Sequence, residues 1–290
     1  MYYLILGFFY GISLLPFWLL YGLADFIYVL VYYVFGYRKK VVLQNLAIAF
    51  PEKSEAERIK IARRFYRAFI DNWLEAVKLL SMSKRTLQKR FRMDYGPLPE
   101  LYAKGKSCHV HLGHQFNWEW ANVAFGQNGQ FTLLGVYQPI SSKAIDRLFK
   151  YFRKKSGTIL LSARNMRQEM LPYRHTQYIM GLVADQNPSD PNKAYWHMFF
   201  SKMAPFVKGP EKNARLHNIP VVFARFEKLK RGYYNCVLEL VEENPADTPE
   251  GELTTKFVRY LEDNIRRQPE NWLWSHRRWK HDWEKYRSGE

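Results

Sequence analysis

The sequence predicts an α/β fold: a mostly parallel or mixed central sheet flanked by helices, preceded by an N-terminal membrane helix. Three observations carry this. The chain opens on an uncharged aromatic stretch, a capped amphipathic helix succeeds it, and from residue 107 onward short apolar runs alternate with helical periodicities.

Residues 1–24 carry no charged side chain, and only Asp25 separates them from a second apolar run at 26–37. About 20 apolar residues suffice to cross a bilayer as a helix; Pro16 is placed to kink the first run. A secretory signal fits poorly, because there is no basic leading region and no small-residue cleavage site. Arg38, Lys39 and Lys40 come immediately after, and the positive-inside rule keeps the rest of the chain in the cytoplasm. A helix lying in the membrane interface is the other reading of the same residues. The division is a membrane anchor at 1–37 and one further domain at 38–290. The net charge of +17, in a chain of 290 residues that is 17% aromatic, calls for an acidic partner: nucleic acid, an anionic membrane or a phosphorylated substrate. Two cysteines, Cys108 and Cys236, form no disulfide framework and fit a reducing compartment.

Beyond the anchor, Ser54 and Glu57 form a capping box. Ile59, Ala62, Tyr66, Phe69, Ile70, Trp73, Val77 and Leu80 then recur at helical spacing. Gly96, Pro97 and Pro99 mark a loop. Strands are predicted at 107–112, 131–137, 158–161, 178–184, 219–226 and 233–241, and helices at 116–125, 142–155, 165–171, 211–217 and 251–267. Residues 188–210 have few periodic features and read as a long functional loop. In such sheets ligands bind beyond the carboxyl ends of the strands.

The most informative stretch is H-V-H-L-G-H-Q-F-N-W-E-W at 109–120. It begins as a strand and turns at Gly113, which puts His114 at the strand end. Glu119 lies five residues on, an offset that does not align two side chains on one helix face. It works if His114 sits on the turn and Glu119 points back from the first helical turns. A carboxylate on one ring nitrogen fixes the tautomer, and the other nitrogen can take a proton from a hydroxyl.

His114 and Glu119 in this setting resemble the H-x4-D/E motif of glycerolipid acyltransferases. More closely, nearly the whole chain resembles the late acyltransferases of lipid A biosynthesis, the lauroyl and myristoyl transferases. The resemblance runs through V-V-L-Q-N-L-A-I-A-F-P-E at 41–52 with Glu57 and Arg58, Ala163-Arg164-Asn165, and G-L-V-A-D-Q at 181–186. It continues through Phe199-Phe200, Pro205 to Arg215, and P-E-N-W-L-W-S-H-R-R-W-K at 269–280. One departure is that Gly113 precedes the histidine, where many relatives carry H-x-G-N-W-E.

The resemblance implies direct acyl transfer from a thioester on acyl carrier protein to a hydroxyl of a phosphorylated lipid A precursor, or else to another membrane lipid acceptor such as a lysophospholipid, glycolipid or aminolipid. It places the catalytic domain on the cytoplasmic face of a bacterial inner membrane. His114 would be the general base and Glu119 its orienting acid. Arg164 would hold a phosphate, or be a surface arginine. Asp185 and Gln186 would shape the site, or only order the loop. Asn117 and Arg277 complete the substrate-binding set; the tryptophans and arginines near Arg277 would form core and solvated face, or grip headgroups. No cofactor, metal or nucleophilic serine is implied, and there is no G-x-S-x-G elbow.

Two rivals come from other classes. His109, His111 and His114 spell H-x-H-x-x-H, close to a metallo-hydrolase motif with Gly113 where an aspartate belongs. A lipid-binding scaffold without turnover is the other. Gly105-Lys106-Ser107 mimics the end of a phosphate-binding loop, but Glu100 stands where its first glycine is required. Nucleic-acid binding would rest on net charge alone.

Overall fold

The computed structural model describes residues 2–126, 130–137, 142–154 and 156–286. The chain opens with α1 (Tyr2–Leu14) and α2 (Phe17–Val29), the latter running on through a π-helical turn at Leu30–Val34. The run Phe17–Val34 is long and apolar enough to cross a membrane by length and composition. Then come α3 (Lys39–Ala49), α4 (Glu55–Lys78) and α5 (Lys84–Arg90). The capping box opens α4 as expected: the Ser54 amide donates to the Glu57 carboxylate at 2.8 Å, and the Glu57 amide donates to the Ser54 hydroxyl at 3.3 Å.

The sheet region runs β1 (Phe91–Asp94), α6 (Leu98–Ala103), β2 (Cys108–Leu112), α7 (Trp118–Gly126), β3 (Thr132–Tyr137), α8 (Lys143–Lys154), β4 (Ile159–Ser162), α9 (Met166–Met170) and β5 (Tyr178–Val183). It continues with β6 (Ala194–Phe199), β7 (Lys202–Val207), α10 (Gly209–His217), β8 (Val221–Lys230), β9 (Tyr233–Glu242) and α11 (Glu252–Arg267). Seven strands form one sheet in the order β1-β9-β8-β2-β5-β3-β4, parallel at every junction except the β8–β9 hairpin. Helices cover both faces, so the predicted α/β class holds.

The predicted strands and helices from 107 onward match observed elements to within a few residues; Lys155, at the end of one predicted helix, lies outside the described residues. Two stretches differ. The 188–210 segment is not a plain loop, because β6 and β7 pair as an antiparallel hairpin through it. Pro205 in β7 hid this strand, since proline ordinarily argues against a paired position; in a two-stranded ribbon its missing N–H costs little, and its carbonyl accepts from Arg278. The Gly96–Pro99 loop leads directly into α6, where the prolines occupy the first helical turn, whose N–H groups need no partner.

Alternation along the parallel strands sets the two faces. Val110 and Leu112 share a face with Ile179, Gly181 and Gly135, to which the register joins them. His109 and His111 point to the other face, His111 against Phe223 and Phe257.

Candidate active site

β2 delivers the chain to Gly113 at the carboxyl end of the sheet. A side chain there is excluded, because a Cβ would lie 2.6 Å from Leu261 Cδ1 and 3.1 Å from Asp185 Oδ2. That close approach lets the Asp185 carboxylate, at the end of β5, wrap the next residue. The His114 backbone N–H donates to Asp185 Oδ2 at 2.7 Å, and His114 Nδ1 lies 2.5 Å from Asp185 Oδ1. Trp272 Nε1 also donates to Oδ2, at 2.7 Å. Asp185 is buried. Burial alone would push its carboxyl up, but the His114 charge and these donors outweigh it and hold it at about 2. With Nδ1–H committed to a carboxylate, the His114 lone pair sits on Nε2. Gln186 Nε2 donates to it at 3.1 Å, and the ring edge meets Trp118 at 5.5 Å between centroids.

The carboxylate on the imidazole is therefore Asp185, not Glu119. Glu119 sits on the first turn of α7, as expected, but its carboxylate is turned to Arg153 of α8, which donates from Nε at 3.0 Å and again from Nη2. Trp118 Nε1 donates to the same carboxylate at 3.1 Å. The five-residue offset explains this: the first turn of α7 carries Glu119 around to the helix-packing side.

Asn117, expected to bind substrate, is fully buried behind the site. Its Oδ1 accepts from the Trp120 amide at 3.2 Å, capping α7, and its Nδ2 donates to Glu75 Oε2 at 2.9 Å. Gln186, by contrast, is in direct contact with the histidine. Arg164 is exposed just past β4, three strand positions from β2, or roughly 14 Å along the sheet edge. Arg277 is exposed, and its carbonyl accepts from Asn187 Nδ2 at 2.8 Å.

The C-terminal signature is core. Trp272, Trp274, Trp279 and Arg278 are buried, and the strip backs the His114 turn through a Gln115–Trp272 bridge and a 3.2 Å bond from the Phe116 amide to the Asn271 carbonyl. Asn45 of α3 staples it in place, donating to the Trp274 and His276 carbonyls at 2.8 and 2.7 Å. Arg278 donates to Asn187 Oδ1 and the Pro205 carbonyl, both at 2.8 Å, and lies over Phe206. Burial without a contacting carboxylate lowers its guanidinium to about 9.

Beside His114 a cavity of about 440 Å³ runs along the sheet face under α7 and α8. His114, Glu119, Arg153, Asn122, Gln186 and Asn187 are among its polar lining; Val110, Leu133, Ile179 and Phe125 supply apolar wall, and Gly135 and Gly181 leave room. That volume lies within the range of small-ligand sites.

Among the described residues no group of three His, Cys, Asp or Glu is placed to hold a metal ion. His109 and His111 are buried on the opposite face from the cavity, and burial pushes them down to about 4 and about 3, so both are neutral. The metallo-hydrolase motif is thus divided, His109 and His111 on one face of β2 and His114 past the turn at Gly113, beside the cavity.

Sequence reasoning missed Arg153, which carries no motif and lies in an ordinary amphipathic helix, and Glu75, which reads as one more charge in α4. The spacing of Glu75 from Ala68 and Asn72, along the stripe that α4 buries, is the signal that could have found the latter.

A search of curated proteins gives no match to the chain. A family model described as bacterial lipid A biosynthesis acyltransferase matches residues 1–281. That match takes in the N-terminal helices, the His114 turn, the Asp185-Gln186 block and the C-terminal signature, and the chain belongs to this family of acyltransferases.

Proposed function

We propose that the protein transfers a fatty acyl group from an acyl carrier protein thioester to a hydroxyl of a phosphorylated lipid A precursor, at the cytoplasmic face of the inner membrane. His114 is its general base. The observation that carries this is a histidine whose Nδ1 is held by a buried ionised carboxylate and whose Nε2 is presented beside an apolar cavity. The acceptor hydroxyl replaces the Gln186 amide at Nε2. Its oxygen attacks the thioester carbonyl carbon as Nε2 takes the hydroxyl proton. The tetrahedral intermediate then collapses, the C–S bond breaks, and the imidazolium returns the proton to the departing thiol. Asp185 stabilises the imidazolium in between, without itself being protonated. The acyl chain occupies the cavity. Glu119 neutralises Arg153 in the cavity wall and holds Trp118 against the imidazole. Arg164 and Arg277 serve the acceptor phosphates through charge-assisted bonds.

The test is an assay with acyl carrier protein thioester and tetra-acylated Kdo-lipid A precursor, read by mass spectrometry. Gain of one acyl group by the wild type, lost at least about a thousandfold in His114→Ala, is the expected result. Full activity in that variant would overturn the mechanism. Acylation of another lipid instead would overturn the acceptor.

Chain length should respond to Gly181. A Cβ there meets nothing closer than the Leu134 carbonyl oxygen at 3.9 Å, so a side chain projects into the cavity without straining the strand. Gly181→Leu is expected to move the preferred donor to a shorter chain and to cut kcat/KM for the longest accepted donor about tenfold or more. Competition between donors of two lengths reads this directly; an unchanged preference would mean that the chain lies elsewhere.

A further inference from the structure

We propose that residues 2–35 hold the protein on an anionic bilayer by lying in its surface, without crossing it. This mode of attachment is independent of the acyl-transfer chemistry.

The N-terminal helices are fastened to the rest of the chain at four points between Ser13 and Tyr37. At the bend before Pro16, the Ser13 carbonyl accepts from Lys78 Nζ at 2.6 Å and Ser81 Oγ at 2.5 Å, and the Leu15 carbonyl accepts from Lys78 Nζ at 2.8 Å. These carbonyls stand at and just past the end of α1, where intrahelical N–H partners run out. One turn on, the Tyr21 hydroxyl donates to buried Glu75 at 2.8 Å. Arg231, in the β8–β9 turn, then donates to both Asp25 oxygens at 2.9 Å and also grips Asp71 of α4. At the far end the Tyr66 hydroxyl of α4 donates to the Tyr37 carbonyl at 2.5 Å.

These ties hold one face of α2 against α4: Leu20, Ala24, Tyr28 and Tyr32, four residues apart, are buried. The opposite face is apolar too, yet open. Trp18 is 75% exposed, Phe26 62% and Tyr33 56%, and α1 continues the strip with Phe8 at 66%. A helix apolar on both sides requires a second apolar partner for the outer one.

That partner is lipid met from the side. A spanning α2 would have either to break every tie or to draw α4 into the hydrocarbon, and α4 carries Arg63, Arg64 and Arg67; each charge at the centre of a bilayer costs about 2.5 kcal/mol or more. In a surface arrangement the same cations fall at headgroup level. Arg67 lies over the Tyr28 ring and Lys39 over the Tyr32 ring, at 5.0 and 4.3 Å from the ring centres. Arg64, Arg67, Lys228 and Arg231 line an open hollow with Asp25, Asp71 and Glu270, so the cations there exceed the anions by one. Basic flanks around an aromatic strip match an anionic interface.

Spin labels placed singly by Phe8→Cys, Trp18→Cys, Phe26→Cys and Tyr33→Cys in the full chain, bound to vesicles of phosphatidylethanolamine and phosphatidylglycerol, test this. The native cysteines are both buried. All four labels are expected at one shallow depth, about 5–10 Å below the phosphates. In proteoliposomes with the catalytic domain outside, an impermeant maleimide added outside should label Tyr3→Cys. A depth that deepens from Trp18 to Phe26 and returns to water beyond Tyr33, with Tyr3→Cys protected, would establish a span and overturn the proposal. So would labels that stay in water, or that report contact with a second copy of the chain instead of lipid.

Discussion

Asp185→Asn is expected to lower kcat by about a thousandfold to ten-thousandfold with the fold intact, the size of loss seen when a catalytic histidine is held in the wrong tautomer. The hydrogen bonds dictate this outcome. Oδ2 already accepts from the His114 amide and from Trp272 Nε1, so the asparagine oxygen must stay there. Its Nδ2 is then left facing His114 Nδ1 as a donor. The ring answers by carrying its proton on Nε2, where the base is needed. Glu119→Gln keeps an acceptor for Trp118 and loses only the charge opposite Arg153, so its cost should be nearer tenfold, or about 1.4 kcal/mol. Kinetics of the two variants side by side decide the matter. If Glu119→Gln is the more damaging, the assignment of Asp185 as the orienting acid is wrong.

Glu75→Ala should produce the largest loss of stability. Its carboxylate collects the Tyr21 and Tyr234 hydroxyls and the Asn117 amide, at 2.8, 2.7 and 2.9 Å. Tyr234 and Asn117 are buried and would be left without an acceptor. At about 1–3 kcal/mol for each of these two orphaned donors, the loss is roughly 2–6 kcal/mol, a large part of the 5–15 kcal/mol typical of a domain. Urea midpoints measure it. The same group carries a pH signature. Burial first, and the neighbouring Asp71 charge second, raise the Glu75 carboxyl to about 7. The folded state therefore holds a proton that the unfolded chain releases near pH 4.3. The contribution is fully present below that value, and is lost as pH rises through about 7, by roughly 4 kcal/mol. Glu75→Gln has no such proton, so the wild type should lose stability relative to it between about pH 5 and 8. Parallel pH profiles for the two would exclude the raised pKa.

Because Glu75 joins α2, β9 and the Asn117 turn, damage there should reach the active site as well as the fold. Partial activity in Glu75→Gln, measured where that variant is still folded, would report on positioning alone.

Much of the molecule was legible in the sequence. The alternation of apolar runs and helical periods from residue 107 onward produced the α/β class and most of its elements, because each strand is short, apolar and bounded by turn residues. The capping box located α4, and the turn at Gly113 located His114 at a strand end. The partner of that histidine was decided only by tertiary structure. Asp185 is 71 residues away in the chain and arrives because β5 pairs with β2 in register, a long-range fact that local spacing cannot encode. Glu119 was the nearer acid along the chain, yet helix geometry carries it to Arg153. The β6–β7 hairpin was hidden by Pro205, and the burial of the C-terminal tryptophans depends on α3 and on Asn45, 229 residues before Trp274. Sequence records which side chains alternate and where the chain turns; which distant carboxylate closes on which ring is set by strand order, and strand order exists only once the sheet has assembled.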